Sequence, residues 1–144
     1  MRQPWNVFVY LYRITSDKPE YLLLKRSDDG VWQGVAGGGE EGESIEEAAK
    51  REMFEETGAI TKAPLLKLDT KSYMEKYIFQ DNEKWEGIYV IPMHYFYCEY
   101  KGNVQISHEH SDYGWYHFED AMEKLYWHDN KTALWELNER LRQL

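Results

Sequence analysis

Between Gly37 and Ala59 the chain reads GGGEEGESIEEAAKREMFEETGA, and here residue types and spacing suggest chemistry. Glycines come first, then Ser44, then a run rich in glutamate and alanine that stops at Gly58. Ser44 and Glu47 stand at the S-x-x-E spacing of a capping box, in which each side chain takes a backbone N–H of the other residue. Gly58 sits where a left-handed residue ends a helix, so a helix is predicted from Ile45 to Thr57. At about 100° per residue, Ile45, Ala48 and Ala49 share one side with Glu52, Glu55 and Glu56, while Glu47, Lys50 and Phe54 point away. The acidic residues therefore extend the apolar face.

A solvated, salt-bridged helix would set its carboxylates opposite the alanines, in Glu-to-Lys pairs four residues apart. Glu52 and Glu56 instead make a like-charge i,i+4 pair, which costs about 0.2–0.5 kcal/mol unless something intervenes. A hard divalent cation would intervene. Mg²⁺ takes one or two protein carboxylates and completes its shell with water and substrate phosphate oxygens. Gly37, Gly38, Gly39 and Gly42 let backbone approach such a ligand closely.

Gly37, Glu43, Arg51, Glu52, Met53, Glu55, Glu56, Gly58 and Ala59 fall on the pattern G-x5-E-x7-R-E-U-x-E-E-x-G-U, with U an apolar residue. In this the chain resembles the Nudix hydrolases. Ala59 is small for the last apolar slot, and Val35-Ala36-Gly37 stands where Pro-Gly-Gly often opens the signature. The resemblance implies an α/β fold, an α/β/α sandwich with a mixed central sheet, and hydrolysis of a phosphoanhydride with Mg²⁺, or Mn²⁺ in its place. It implies Glu52 and Glu56 as principal metal ligands, helped by Glu55 and the carbonyl of Gly37. Arg51 would orient one of these carboxylates; the plainer reading makes it a helix-surface partner of Glu47 or Glu55. Glu43 would support the loop or an outer metal shell. A further glutamate outside the signature is also implied, and Glu109 fits that place as ligand or base. The general base is then Glu55 or Glu109.

The run from His108 to Trp115, with Ala121, Leu125, Trp127, Asn130, Lys131 and Ala133 after it and Trp32-Gln33-Gly34-Val35 before the signature, is similar to the bacterial dihydroneopterin triphosphate pyrophosphatases. That similarity is what selects Glu109. It implies release of pyrophosphate, a place in folate biosynthesis, and substrate contacts near Arg2, Lys25, Ala36 and the stretch from Glu75 to Phe79. Competing readings are a housecleaning (d)NTP or nucleoside-diphosphate-X pyrophosphatase, and a nucleotide-sensing module without turnover. The intact acidic set argues against the last. His108 and His110 also form an H-x-H, a zinc cue outweighed by half-buried or solvent-facing histidines.

With 144 residues the chain is read as one domain, residues 1–144, long enough to bury about two-thirds of its unfolded surface. A net charge of −9 argues against a nucleic-acid partner, and makes an anionic small molecule depend on cations to approach. The single cysteine, Cys98, allows no intrachain disulfide, and neither a signal-peptide pattern nor a long apolar run is present. A cytoplasmic protein without membrane partners is expected, as monomer or homodimer. The six tryptophans and twelve tyrosines serve mainly core packing, with some available to stack on a planar substrate.

The remaining elements must position these groups. Strands are predicted from Trp5 to Ile14 and from Glu20 to Lys25, joined as a hairpin through Ser16-Asp17-Lys18-Pro19. Asp28-Asp29-Gly30 turns, and Val31 to Ala36 is a short extended segment. Leu65 to Phe79 reads as one or two strands, Asp81 to Gly87 as a polar loop, and Ile88 to Tyr100 as a long strand. Pro92 within it asks for an edge or a bulge. Asn103 to Ser107 is weakly extended, Tyr113 to Phe118 a strand, and Glu119 to Leu125 a short helix. Asp129 is placed to cap a last helix to Arg142, with Leu134, Leu137 and Leu141 as its core stripe.

Overall fold

The first strand carries an unbroken buried run from Val7 to Leu11, and the sheet is built around it. Strand β1 (Arg2–Thr15) buries Val7, Val9 and Leu11 in one apolar cluster, and Phe8 and Tyr10 in another. That is the pattern of a central strand covered on both faces. The structure, a computed structural model, describes residues 1–80 and 82–142. Ser16 and Asp17, both left-handed at φ 52° and 65°, turn the chain into antiparallel β2 (Lys18–Arg26), with Lys18 opposite Thr15. Two consecutive positive-φ residues give the hairpin loop whose twist suits its strands.

Beside β1 lie antiparallel β4 (Val35–Glu40) and parallel β6 (Val90–Glu99). Short β3 (Trp32–Gln33) and β7 (His110–Tyr116) pair with β2, and β5 (Leu66–Glu75) pairs with β6. The result among the described residues is one mixed sheet of seven strands. Helix α1 (Ile45–Thr57) covers one face, where Ala48, Ala49 and Met53 pack on Val7, Val9, Leu22 and Leu24. Helices α2 (Phe118–Lys124) and α3 (His128–Arg142) cover the other, bringing Ala121, Ala133, Leu134 and Leu137 onto Phe8, Tyr10, Leu23 and Tyr95. The α/β/α sandwich is thus present, with Leu134 and Leu137 buried as the stripe predicts and Leu141 packed at its margin.

Several boundaries differ from the sequence reading. β5 stops at Glu75, because Lys76–Ile78 tightens into a 3₁₀ turn, with the Lys76 N–H donating to the Tyr89 carbonyl at 3.0 Å. The loop expected from Asp81 starts at a residue outside the described range. Beyond it, Asn82–Lys84 forms another 3₁₀ turn and Trp85 is buried, its indole N–H donating to the Arg2 carbonyl at 3.3 Å. Pro92 stands opposite Tyr73, one residue before pairing with β1 begins at Met93. β6 is therefore one-sided where proline lacks its N–H. Residues 103–107 form no strand; the Gln105 N–H donates to the Thr57 carbonyl at 2.9 Å. Asp129 lies inside the first turn of α3 instead of capping it, where its charge still suits the helix dipole. No helix among the described residues is long and apolar enough to cross a membrane.

Candidate active site

The ends of α1 are set locally. Ser44 Oγ accepts from the Glu47 N–H at 3.1 Å, the Glu47 carboxylate accepts from the Ser44 N–H at 2.8 Å, and Gly58 closes the helix at φ 75°. The helix lies over β4, whose glycines remove side chains that would hold it off. A Cβ at Gly37 would overlap the Glu52 carboxylate; at Gly38 it would meet the Arg2 guanidinium, and at Gly39 the Trp5 indole. Backbone thus lies directly under three functional or supporting side chains.

Arg51 ties this layer together. It donates twice to Glu43 (2.6 and 3.0 Å), to Glu52 Oε1 (2.9 Å), to Glu55 Oε2 (3.2 Å) and to the Gly38 carbonyl (2.8 Å). The forked contact with Glu43 is the strong, geometry-fixing kind, and it holds the Glu43 carboxyl below its ordinary range. Arg51 is therefore more than a surface partner of one helix turn.

Glu56 is 2% exposed. Its Oε1 accepts from the Ala36 N–H at 3.4 Å and lies 3.7 Å from His110 Nε2. Its Oε2 is buried without a hydrogen-bond partner. Burial first, and then the neighbouring Glu52 carboxyl, push Glu56 well above the ordinary carboxylate range. Burial also raises Glu52, against the pull of Arg51. The Glu55 side chain is 53% exposed and leans on Arg51.

This pair makes stability depend on pH. A carboxyl whose pKa rises on folding stabilises the native state while protonated, fully so below its unfolded-state value, and that contribution fades as pH rises toward the folded value. In EDTA the melting temperature of the wild type should fall between pH 5 and pH 8. Glu52→Gln/Glu56→Gln should melt higher than wild type at pH 8, show a flatter profile, and gain less from added Mg²⁺. Equal slopes and equal Mg²⁺ responses in calorimetry would locate the effect outside this pair.

A cleft of about 500 Å³ opens against Glu56. Arg2, Arg26, Ser27, Asp28, Gln33, Ala36, Gln80, Glu109 and His110 complete its lining. Of the residues singled out from sequence, Arg2, Ala36, Glu56 and Glu109 line the cleft itself. Gly37, Glu43, Arg51 and Glu52 form the layer joined to Glu56, and Glu55 lies toward solvent. Lys25 and Glu75 are not in the lining. Strand alternation pairs Lys25 with Trp32, on the α2/α3 side, so the next residue, Arg26, reaches the cleft. Glu75 ends β5, and the turn after it brings Phe79 over the Arg2 guanidinium (4.8 Å) and Gln80 into the cleft.

Glu109 is exposed on the turn before β7. Its carbonyl accepts from the Ser27 N–H at 2.9 Å, and Ser27 Oγ donates to the His108 carbonyl at 3.0 Å. Sequence reasoning assigned Arg26, Gln33 and Gln80 no site role, and His110 entered only as half of the H-x-H zinc cue. Gln33 and His110 lay within the runs used for the subgroup similarity, whereas Arg26 and Gln80 carried no signal.

The donor set fits a small hard cation: two neighbouring carboxylates, one oxygen of which is buried and unpaired, beside glycine backbone. Among the described residues no three His, Cys, Asp or Glu side chains form a ready metal cage. Mg²⁺ needs none, since it retains waters and recruits phosphate oxygens. The NUDIX domain model matches residues 3–136 of the chain. The chain belongs to the Nudix family. A Nudix hydrolase from Listeria monocytogenes str. 4b F2365 superposes with a TM-score of 0.86 at 38% identity, covering 98% of this chain and 96% of that one. The nucleoside triphosphatase NudI of Escherichia coli (strain SE11) is 34% identical over 108 residues, 71% of this chain and 76% of that protein. The E. coli dihydroneopterin triphosphate pyrophosphohydrolase shares the fold, with a TM-score of 0.78 at 24% identity over 96% of this chain and 97% of that one. The protein is a Nudix hydrolase, one of a family that acts on small-molecule nucleotide substrates and generally uses divalent metal ions.

Proposed function

We propose that this Nudix hydrolase is a Mg²⁺-dependent pyrophosphohydrolase, with Mn²⁺ able to substitute, that cleaves a phosphoanhydride bond in a nucleoside-triphosphate-like molecule and releases pyrophosphate. The favoured substrate is dihydroneopterin triphosphate. One observation carries the reading: the unpaired Oε2 of Glu56, beside Glu52, at the wall of a cleft of about 500 Å³, a volume suited to a small-molecule ligand.

Glu52 and Glu56 would hold the cation, with Glu55 and the Gly37 carbonyl in support. When bound, it neutralises phosphate charge and makes the attacking water more acidic. Arg51, anchored by Glu43, fixes the Glu52 carboxylate against β4. Arg2 supplies positive charge to the phosphates, a task for which the planar guanidinium is well shaped, whereas Arg26 faces the cleft as an ion pair forked onto Asp28 at 2.6 and 3.0 Å. Ala36 meets Glu56 through its backbone N–H, at 3.4 Å from Oε1, and the amides of Gln33 and Gln80 offer donors and acceptors to a planar head group. Glu109 accepts the proton of the attacking water. It is preferred to Glu55 because it lines the cleft, whereas Glu55 is engaged by Arg51 at the exposed side.

The choice of a pterin head rests on the His108–Trp115 and Trp32–Val35 runs. The 34% identity to NudI favours ordinary nucleoside triphosphates as a second reading. A panel of dihydroneopterin triphosphate, the (d)NTPs and nucleoside-diphosphate-X compounds, assayed with Mg²⁺ and Mn²⁺, separates them. We expect the highest kcat/KM on dihydroneopterin triphosphate, with phosphate detected only after inorganic pyrophosphatase is added. A higher kcat/KM on a (d)NTP would establish the second reading. Nucleotide binding without turnover of any compound would make the protein a sensor.

A further inference from the structure

His110 has no part in the chemistry above, yet the sheet departs from regular pairing to deliver it. Along β2 and β7, Leu24 faces Tyr113 and Lys25 faces Asp112, but Arg26 faces His110, which leaves Ser111 without a partner. One extra residue reverses the side to which the strand's next side chains point. In an unbroken ladder Ser111 would oppose Arg26, and His110 would fall on the α2/α3 side of the sheet. With the bulge, His110 lies instead on the α1 side against Glu56, the two side chains being 4% and 3% exposed.

We infer that His110 is a positioning residue for Glu56, and that the bulge at Ser111 places it there; the inference rests on Glu56 being a cation ligand. Besides the adjoining Glu52 carboxyl, the groups that face Glu56 are the Ala36 N–H at 3.4 Å and His110 Nε2 at 3.7 Å, and both address Oε1. Oε2 is left without a protein partner. The contact at 3.7 Å exceeds a hydrogen bond, and a small rotation of either side chain closes it. An Nε2–H donated to Oε1 sets the carboxyl rotamer and keeps Oε2 turned to the cation. Outer-layer partners of metal-binding carboxylates act in this way. His110 Nδ1 is also buried without a partner, so packing alone does not satisfy this imidazole.

Three substitutions separate donor from filler. Glutamine places an amide near Nε2, asparagine places one near Nδ1, and phenylalanine retains only bulk. The apparent Mg²⁺ dissociation constant is read from the Mg²⁺-dependent rise in melting temperature, and kcat and KM are measured separately. His110→Phe should weaken Mg²⁺ binding about tenfold and lower kcat about tenfold, with KM within about threefold of wild type. His110→Gln should restore both to within about threefold, and His110→Asn should not. Wild-type Mg²⁺ affinity in His110→Phe, or equal rescue by asparagine and glutamine, would overturn the inference. If His110→Phe does not fold, the glutamine–asparagine contrast decides. Glu56→Gln is run alongside. Should it keep the full Mg²⁺ response, the ligand reading of Glu56 fails and this inference with it. If it loses the response while His110→Phe does not, only the inference falls.

Discussion

Glu56→Gln should fold and lose about a hundredfold or more of its Mg²⁺-dependent kcat. The amide keeps the shape of the side chain and can still accept from the Ala36 N–H, now 3.4 Å from Oε1. What disappears is a negative ligand at a carboxylate oxygen that, among the described residues, is the one left buried and unpaired. Each tenfold loss corresponds to about 1.4 kcal/mol of transition-state stabilisation, so a hundredfold asks about 2.7 kcal/mol of this oxygen. Folding should not suffer, because a neutral amide at a site 2% exposed avoids the cost of burying a carboxylate beside Glu52. Loss of turnover with an unchanged or raised melting temperature in EDTA is the combined signature. Wild-type kcat at saturating Mg²⁺ would remove Glu56 from the metal site.

What could be foreseen from sequence follows the range of the interactions that fix each element. Helix α1 runs from Ile45 to Thr57 as predicted, because Ser44, Glu47 and Gly58 determine its ends within a few residues. The hairpin at Ser16 and Asp17 was equally local. Contributions that depend on register were not visible. Lys25 rather than Arg26 was expected near the substrate, and a shift of one residue moves a side chain to the other face. His110 owes its position to an unpaired Ser111 in a ladder formed with β2, far away in sequence. Gln80 and Phe79 arrive through a 3₁₀ turn after β5 that has no periodic signature. Gly37 shows both levels at once. Its place in the signature was plain, whereas the reason for a glycine, contact with the Glu52 carboxylate, needed α1 docked on β4.

Glu109→Ala should lower kcat by tenfold or more, while the melting temperature in EDTA stays near wild type. The side chain lines the cleft and is exposed, so its loss opens no cavity in the core. Its turn is held through backbone: the Ser27 N–H donates to the Glu109 carbonyl at 2.9 Å and Ser27 Oγ to the His108 carbonyl at 3.0 Å, bonds that alanine leaves intact. A positioned base contributes about 10²–10⁴-fold, so a loss of a hundredfold or more marks that role, and a tenfold loss is what a supporting ligand would show. Glu99→Ala and Glu119→Ala control for a general loss of negative charge, and Glu55→Ala tests the other candidate base. Glu55→Ala should cost less than Glu109→Ala, since its carboxylate is 53% exposed and leans on Arg51. If Glu109→Ala turns over like the two controls, Glu109 is an ordinary surface carboxylate. The proton then has to be taken by Glu55, and a large kcat loss in Glu55→Ala is the result that would show it.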